Sequence, residues 1–411
     1  MTEGKCRYCG SDLNDVVIDL RMAPLSNDYL NKGQIKSGQY SLPLRVCVCG
    51  KCKLVQVSNW EMPSHIFNSG YKYFSSYSTS WLKHSSDYVD MIVKRLHLEP
   101  SSHVVEVASN DGYLLQYFKK YSIEPLGIDP SEATAEAAEE MGVHTLVEFF
   151  GKSLAERLVK EAQSADLIIG NNVLAHVPDI RDFVSGLKIL LKPNGTITME
   201  FPHFLNIIKY NQFDTIYHEH FSYLTMLVVK QIFSDEGLKI YDVEKLPTHG
   251  GSLRIYATHD NNDDIQVSES VSALLDEEIK YGLDDIDVYH GFRDRIHSLK
   301  FDILSKLIEL KKQGKTICGY GAAAKGNTMF NYCGIGTELV DYVVDANPHK
   351  QNLFMPGSLI PIYAPDKIRE TEPDYVIIVP WNISDEITSS LQYIRDWGGK
   401  FLQFIPDVKE W

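Results

Sequence analysis

Between residues 103 and 256, short apolar and β-branched runs alternate with longer mixed stretches. The runs are His103-Val-Val-Glu106-Val-Ala, Pro125-Leu-Gly-Ile-Asp129, Ala165-Asp-Leu-Ile-Ile-Gly170 and Gly195-Thr-Ile-Thr-Met-Glu200, the last after a turn at Lys192-Pro-Asn-Gly195. This rhythm predicts a parallel sheet with helices on its faces. Leu238–Val243 and Ser252–Tyr256 predict a closing pair of strands. The polar, acidic stretch His259-Asp-Asn-Asn-Asp-Asp264 then marks a boundary. Two helical segments follow, about 267–283 and 290–313. The α/β rhythm resumes with Thr316–Gly321, Val340–Asp345 and Asp374–Val379. The first 70 residues show little apolar periodicity and are expected to be loop-rich. The expectation is an α/β chain without internal repeats and with three domains, 1–70, 71–260 and 261–411. The second opens with the aromatic stretch Tyr71-Lys-Tyr73-Phe74-Ser-Ser-Tyr77.

Length and composition agree with this picture. The chain has 411 residues, enough for two or three cores, with 44% hydrophobic and 23% charged residues. No apolar run reaches the roughly 18 residues of a membrane span. Met1–Cys6 lacks the apolar core of a signal peptide, so the cytoplasm is the expected compartment. A net charge of -15 disfavours nucleic-acid binding but leaves room for a small anionic ligand held by local donors.

Five of the seven cysteines fall in the first 52 residues. Cys6-x-x-Cys9 and Cys49-x-x-Cys52 form two knuckles, each able to point two thiolates at one tetrahedral ion. Four thiolates close the shell, so the expected zinc ion is structural. Cys47 stands two residues before Cys49 and could take its place.

Two strand–turn–helix motifs carry the ligand chemistry. In the first, Glu106-Val-Ala108-Ser-Asn110-Asp111-Gly112 leads from a strand towards a helix at Tyr113–Phe118, with Asp129 ending the next strand. A carboxylate there can accept both hydroxyls of a ribose. The usual three-glycine pattern is degraded to Ala108-x-Asn110-x-Gly112. The bulkier residues crowd a diphosphate, whereas S-adenosylmethionine, with no phosphate, tolerates them. Phe149 or Phe150 could cover an adenine, and Asn171 and Asn172 stand at the carboxyl end of the fourth strand, where ligands of such sheets bind. In the second motif, Gly319-x-Gly321-x-x-Ala324-x-Gly326 and Asp345 make a better dinucleotide fingerprint, with Lys325 adding charge. A nicotinamide oxidoreductase is the rival reading it raises. His249-Gly-Gly-Ser252 reads as a tight bend. Arg254 could meet a carboxylate or a phosphate, or cover the sheet edge.

Asp214-Thr-Ile-Tyr217-His218-Glu219-His220-Phe221 is the densest group of titratable side chains. Its spacing does not fit a helical metalloprotease, but it can supply a base and its orienting partner.

Taken in order, these motifs resemble the sugar C-methyltransferase family over nearly the whole chain. The matching pieces are the two Cys-x-x-Cys knuckles, Ser109-Asn-Asp-Gly112, Asn172-Val-Leu-Ala-His176, Tyr217-His-Glu-His220, His249-Gly-Gly-Ser-Leu-Arg254 and Gly319-Tyr-Gly-Ala-Ala-Ala-Lys-Gly326. The resemblance implies a zinc-binding N-terminal module, a central Rossmann-like S-adenosylmethionine domain and a C-terminal Rossmann-like domain that holds a sugar nucleotide rather than NAD. It implies methylation at carbon 3 of a 4-keto-deoxysugar on a nucleoside diphosphate, usually TDP. His220 would be the base, with Tyr217, Glu219, His176 and one of Tyr71, Tyr73 or Tyr77 lining the pocket. His249, Arg254, Gly319, Gly321, Lys325 and Asp345 would face the sugar nucleotide. His218 is not expected to be required. O- or N-methylation stays open, as does the choice between monomer and dimer.

Overall fold

The structure is a computed structural model that describes residues 4–57 and 74–411. Tyr71 and Tyr73 lie outside the described residues. The N-terminal segment is less loop-rich than expected. Strands β1 (Asp15–Ala23), β2 (Leu42–Val48) and β3 (Val55–Val57) pair antiparallel, and Val17, Ile18, Leu44, Val46, Val48 and Val55 are buried. The register of β1 on β2 shifts twice, between Val16 and Ile18 and between Asp19 and Met22. Each shift interrupts the two-residue alternation by which a strand shows in sequence.

The central sheet contains β4 (Val104–Val107), β5 (Leu126–Ile128), β6 (Thr145–Leu146), β7 (Ala165–Asn171) and β8 (Leu191–Pro202), all parallel. The turn expected at 192–195 is a jump of register within β8, between the pairs Ala165↔Leu191 and Leu167↔Thr196. The two-residue strand β9 (Ser222–Tyr223) leaves this sheet and pairs with β3 as the fourth strand of the N-terminal sheet. β10 (Leu238–Leu246) and β11 (Ser252–His259) complete the central sheet, in the order β6-β5-β4-β7-β8-β11-β10. β11 runs antiparallel to both neighbours. Helix α1 (Thr79–Leu96) buries Trp81, Tyr88, Val89, Ile92 and Val93, a stripe at helical spacing, against this sheet. The Ser78 side chain caps it by accepting from the Trp81 amide.

Two helices follow the acidic stretch and part company. α2 (Glu269–Tyr281) puts Val271 and Leu274 into the core under the central sheet. α3 (Asp287–Lys312) buries Tyr289, Phe292, Ile296, Leu299, Ile303, Leu307 and Leu310 in a core shared with β1 and the C-terminal sheet. That sheet contains β12 (Ile317–Tyr320), β13 (Tyr342–Val344), β14 (Ile362–Tyr363), β15 (Tyr375–Ile378), β16 (Lys400–Gln403) and β17 (Lys409–Glu410), in the order β14-β13-β12-β15-β16-β17. All its pairs are parallel except β16 with β17. Helix α4 (Ala324–Cys333) leaves the carboxyl end of β12. Among the described residues, no helix is long and apolar enough to cross a membrane.

Candidate active site

The four cysteine sulfurs of the two knuckles lie within 4.8 Å of one another, with Cys6–Cys52 at 3.6 Å and Cys9–Cys49 at 3.5 Å. Zinc–sulfur bonds of about 2.3 Å in a tetrahedron place sulfurs roughly 3.8 Å apart, so the cluster fits such an ion. Cys49 is in this set. Cys47 instead sits on β2, opposite Val16 and Gln56.

A cavity of about 610 Å³ opens at the carboxyl ends of the central strands and extends to the C-terminal domain. One wall is the first turn. Ala108 and Asn110 take left-handed conformations (φ 59° and 49°) without being glycine, and Gly112 follows at φ 73°. Asp129 holds the turn, accepting from the Asn110 amide at 3.0 Å through one oxygen, and from the Ser131 amide and the Thr134 hydroxyl through the other. Ala108, Asn110, Asp129, Phe149, Phe150, Asn171 and Asn172 all line the cavity, and Phe149 is 52% exposed. The Asn171 amide nitrogen and the Asn172 amide oxygen are buried without a hydrogen-bond partner among the described residues. Such polar atoms are expected to find partners when the site fills. Glu106 and Gly112 stand behind this wall. Glu106 is fully buried, and burial beside Asp129 and Asp111 pushes its carboxyl well above the usual range. Gly112 has a left-handed backbone, and a Cβ there would meet Val143 at a tight 3.2 Å, so conformation and packing together favour the glycine.

Opposite this wall is the loop 214–220. His220 Nδ1 lies 2.8 Å from the Thr215 carbonyl, which can only accept, so Nδ1 carries the hydrogen. Nε2 therefore holds the lone pair and accepts from the Tyr217 hydroxyl at 2.7 Å. Burial, followed by the nearby His176, keeps the His220 pKa well below 6.5. The His176 ring packs edge-on at 4.6 Å and, desolvated, titrates at about 4. Burial raises Glu219 to about 7, although Asn27 donates to it at 2.7 Å and Lys350 lies near. His176, Tyr217, Glu219 and His220 thus share one cavity.

The substrate-side expectations divide. His249 and Lys325 line the cavity. Asn172 Nδ2 lies 2.8 Å from His249 Nε2, and Lys325 donates to the His249 carbonyl at 3.3 Å and to Asn382 at 3.4 Å. Arg254 does not line it. Its guanidinium donates to Glu200 at 2.8 Å and lies over the Tyr88 ring, with 5% of the side chain exposed. Burial alone would raise Glu200, but His84 and Arg254 hold it at about 2. Gly319, Gly321 and Asp345 are also off the lining. A Cβ on Gly321 (φ +96°) would sit 2.6 Å from Pro380, and one on Gly326 2.3 Å from Val379, so these glycines serve strand–helix packing. Asp345 accepts from the Ala322 amide at 2.7 Å and from the Asn347 amide at 2.8 Å. Tyr77 is 53% exposed, packs beside Phe74 and His349, and is off the lining. Sequence reasoning passed over Asn27, Trp81, Tyr113 and Lys350, all of which reach the cavity. Tyr113 carried a faint signal, as the aromatic directly after the first motif, and Trp81 none. Asn27 and Lys350 carried none.

The parallel sheet with one antiparallel strand, the cavity at its carboxyl ends and a matching methyltransferase family model together mark an S-adenosylmethionine-dependent methyltransferase. Family models match three successive segments: a "Putative zinc binding domain" over residues 6–67, a methyltransferase domain over 81–243 and a C-methyltransferase C-terminal domain over 247–406. The C-methyltransferase NovU of Streptomyces niveus is 32% identical over 405 residues, covering 98% of this chain and 96% of that one. A ubiquinone biosynthesis O-methyltransferase of Coxiella burnetii is 25% identical over 158 residues, 36% of this chain and 68% of that one. A magnesium protoporphyrin IX methyltransferase structure from Synechocystis, with SAM bound, covers 44% of this chain and 81% of its own at 17% identity and a TM-score of 0.33, too loose a likeness to bear on function. The chain belongs to the family its ordered motifs resemble, the sugar C-methyltransferases. It is an S-adenosylmethionine-dependent C-methyltransferase with a zinc-binding N-terminal module, and the oxidoreductase reading of Gly319–Gly326 falls away.

Proposed function

We propose that this enzyme methylates carbon 3 of a 4-keto-deoxysugar carried on a nucleoside diphosphate, in the cytoplasm, through an enolate made by His220. The observation that carries the reading is a neutral imidazole, with its lone pair fixed at Nε2, in the same cavity as the S-adenosylmethionine wall. Carbon is nucleophilic only as a carbanion, and a ketone at carbon 4 makes the adjacent C–H acidic by delocalising charge onto oxygen. In this reading Tyr217 gives up Nε2 as the sugar enters, and Nε2 takes the proton from carbon 3. The Tyr217 hydroxyl then turns to the enolate oxygen, where a donor lowers the barrier most. His176, neutral, packs against the base, and Glu219 orients a sugar hydroxyl. S-adenosylmethionine, when bound, supplies an electrophilic methyl group on a sulfonium. The protein then contributes alignment and exclusion of water. Ala108, Asn110, Asp129, Phe149, Phe150, Asn171 and Asn172 would hold that cofactor, with the buried Glu106 carboxyl behind them. Lys325 and His249 support binding of the sugar nucleotide on the other side.

The test is incubation with TDP- and GDP-linked 4-ketosugars and S-adenosylmethionine, read by mass spectrometry, together with deuterium exchange at the sugar carbon. Wild type should add one methyl group and exchange one proton. His220→Asn should lose both by at least about 100-fold while still binding S-adenosylmethionine. Exchange by that variant at the wild-type rate would rule His220 out as the base. Because burial holds the His220 pKa well below 6.5, protonation of the base should slow exchange only well on the acid side of that value, and a change near pH 7 should follow Glu219, which burial raises to about 7, and vanish in Glu219→Gln.

A further inference from the structure

Arg7, the first of the two residues between Cys6 and Cys9, reaches out of the metal module to the active-site wall. The Arg7 amide donates to Gln56 Oε1 at 2.9 Å, and Gln56 Nε2 donates to the Cys6 sulfur at 3.2 Å, so Arg7 is anchored at the metal cluster. Its guanidinium then spans two loops. Nη2 donates to the Val57 carbonyl at 2.7 Å, and Nη1 to the Pro178 carbonyl at 3.3 Å. The same group lies over the Phe221 ring, 5.2 Å from its centre.

Each contact leads directly to a cavity histidine. Val57 is the end of β3, and its amide donates to the Phe221 carbonyl at 3.1 Å, while Val55 and Gln56 pair with Tyr223 and Ser222 of β9. Phe221 is the residue after His220. Pro178, itself on the cavity wall, lies two residues after His176. The two histidine rings stand 4.6 Å apart, and their loops come from separate stretches of the central domain. Within this bridge one planar cation holds the two together, and its fork of donors suits two carbonyls as a single ammonium would not.

We infer that Arg7 is a positioning residue that sets His220 against His176, which makes the zinc knuckle a part of the catalytic alignment. The inference rests on the reading of His220 as the base. A chain misplacement of about 1 Å at reacting groups costs on the order of 100-fold in rate.

The experiment compares wild type, Arg7→Lys and Arg7→Met as full-length, zinc-loaded proteins. Both variants should keep wild-type zinc content and bind S-adenosylmethionine within about twofold, since the cofactor wall is not touched. KM for the ketosugar should move little, whereas kcat and deuterium exchange should fall together, by about 10-fold in Arg7→Lys and about 100-fold in Arg7→Met. The ring 15N signals of His176 and His220 in ligand-free protein should shift in both variants. Unchanged kcat and unchanged histidine signals in zinc-loaded variants would overturn the inference. So would loss of zinc or of folding in both, which would make Arg7 a folding residue. If wild type itself exchanges no proton on any ketosugar, the base reading fails, and the histidine signals alone still decide whether Arg7 positions the rings.

Discussion

The two strand–turn–helix motifs invert their sequence rank in the structure. The C-terminal turn has the better glycine pattern, yet Gly321 and Gly326 are held by Pro380 and Val379, and Asp345 is off the cavity lining. The central turn has alanine and asparagine where glycines are usual, yet it faces the cavity, with Asp129 on the lining and the unpartnered Asn171 Nδ2 and Asn172 Oδ1 beside it. A glycine reports that something lies close to the backbone. Whether that neighbour is a ligand or a proline ring depends on the strand across from it.

The comparison can be broken by substitution. Gly321→Ala should cost about 3 kcal/mol of stability, from overpacking on Pro380 and a strained φ, measured by denaturant unfolding. Its S-adenosylmethionine affinity should stay at the wild-type value. Asp129→Asn should instead weaken S-adenosylmethionine binding by roughly 10- to 100-fold, measured by calorimetric titration, because a charged acceptor facing the cavity is lost. Asp345→Asn, at the matching place in the other turn, should lower stability by about 1 kcal/mol and leave cofactor binding unchanged. If it weakened S-adenosylmethionine binding as strongly as Asp129→Asn does, the two turns would be equivalent and the contrast void. The smallest expected effect is none at all: NADH in large excess should not alter intrinsic tryptophan fluorescence, although Trp381 and Lys325 lie beside the C-terminal turn. A saturable response would restore that turn as a dinucleotide site.

Much of the fold was legible because its strands are short and buried on both faces. Val104–Val107 and Tyr375–Ile378 read as apolar runs wherever they occur. The N-terminal sheet was not, because two register shifts hide the alternation of β1 and its fourth strand comes from residue 222. In the site, Tyr217, Glu219 and His220 were legible because one loop carries all three. His176 joined them through its family motif. Asn27 and Lys350 were invisible, since each reaches Glu219 from a different domain. Arg254 was read as a possible phosphate ligand because a lone arginine gives no sign of its partner. That partner, Glu200, lies directly across the strand pair β8–β11.

By itself the sequence determined which chemical groups this enzyme has: two cysteine pairs, a carboxylate at the end of a strand, and an imidazole flanked by a phenol and a carboxyl. Those are properties of residue type and short spacing, and they hold in any fold that keeps them local. Only the tertiary structure decided that Cys49 rather than Cys47 completes the sulfur cluster, that the glycine-poor turn faces the cavity, and that Arg7 spans the loops of His176 and His220. Each of these depends on contacts between residues far apart in the chain, where packing and register, not local pattern, choose the partner.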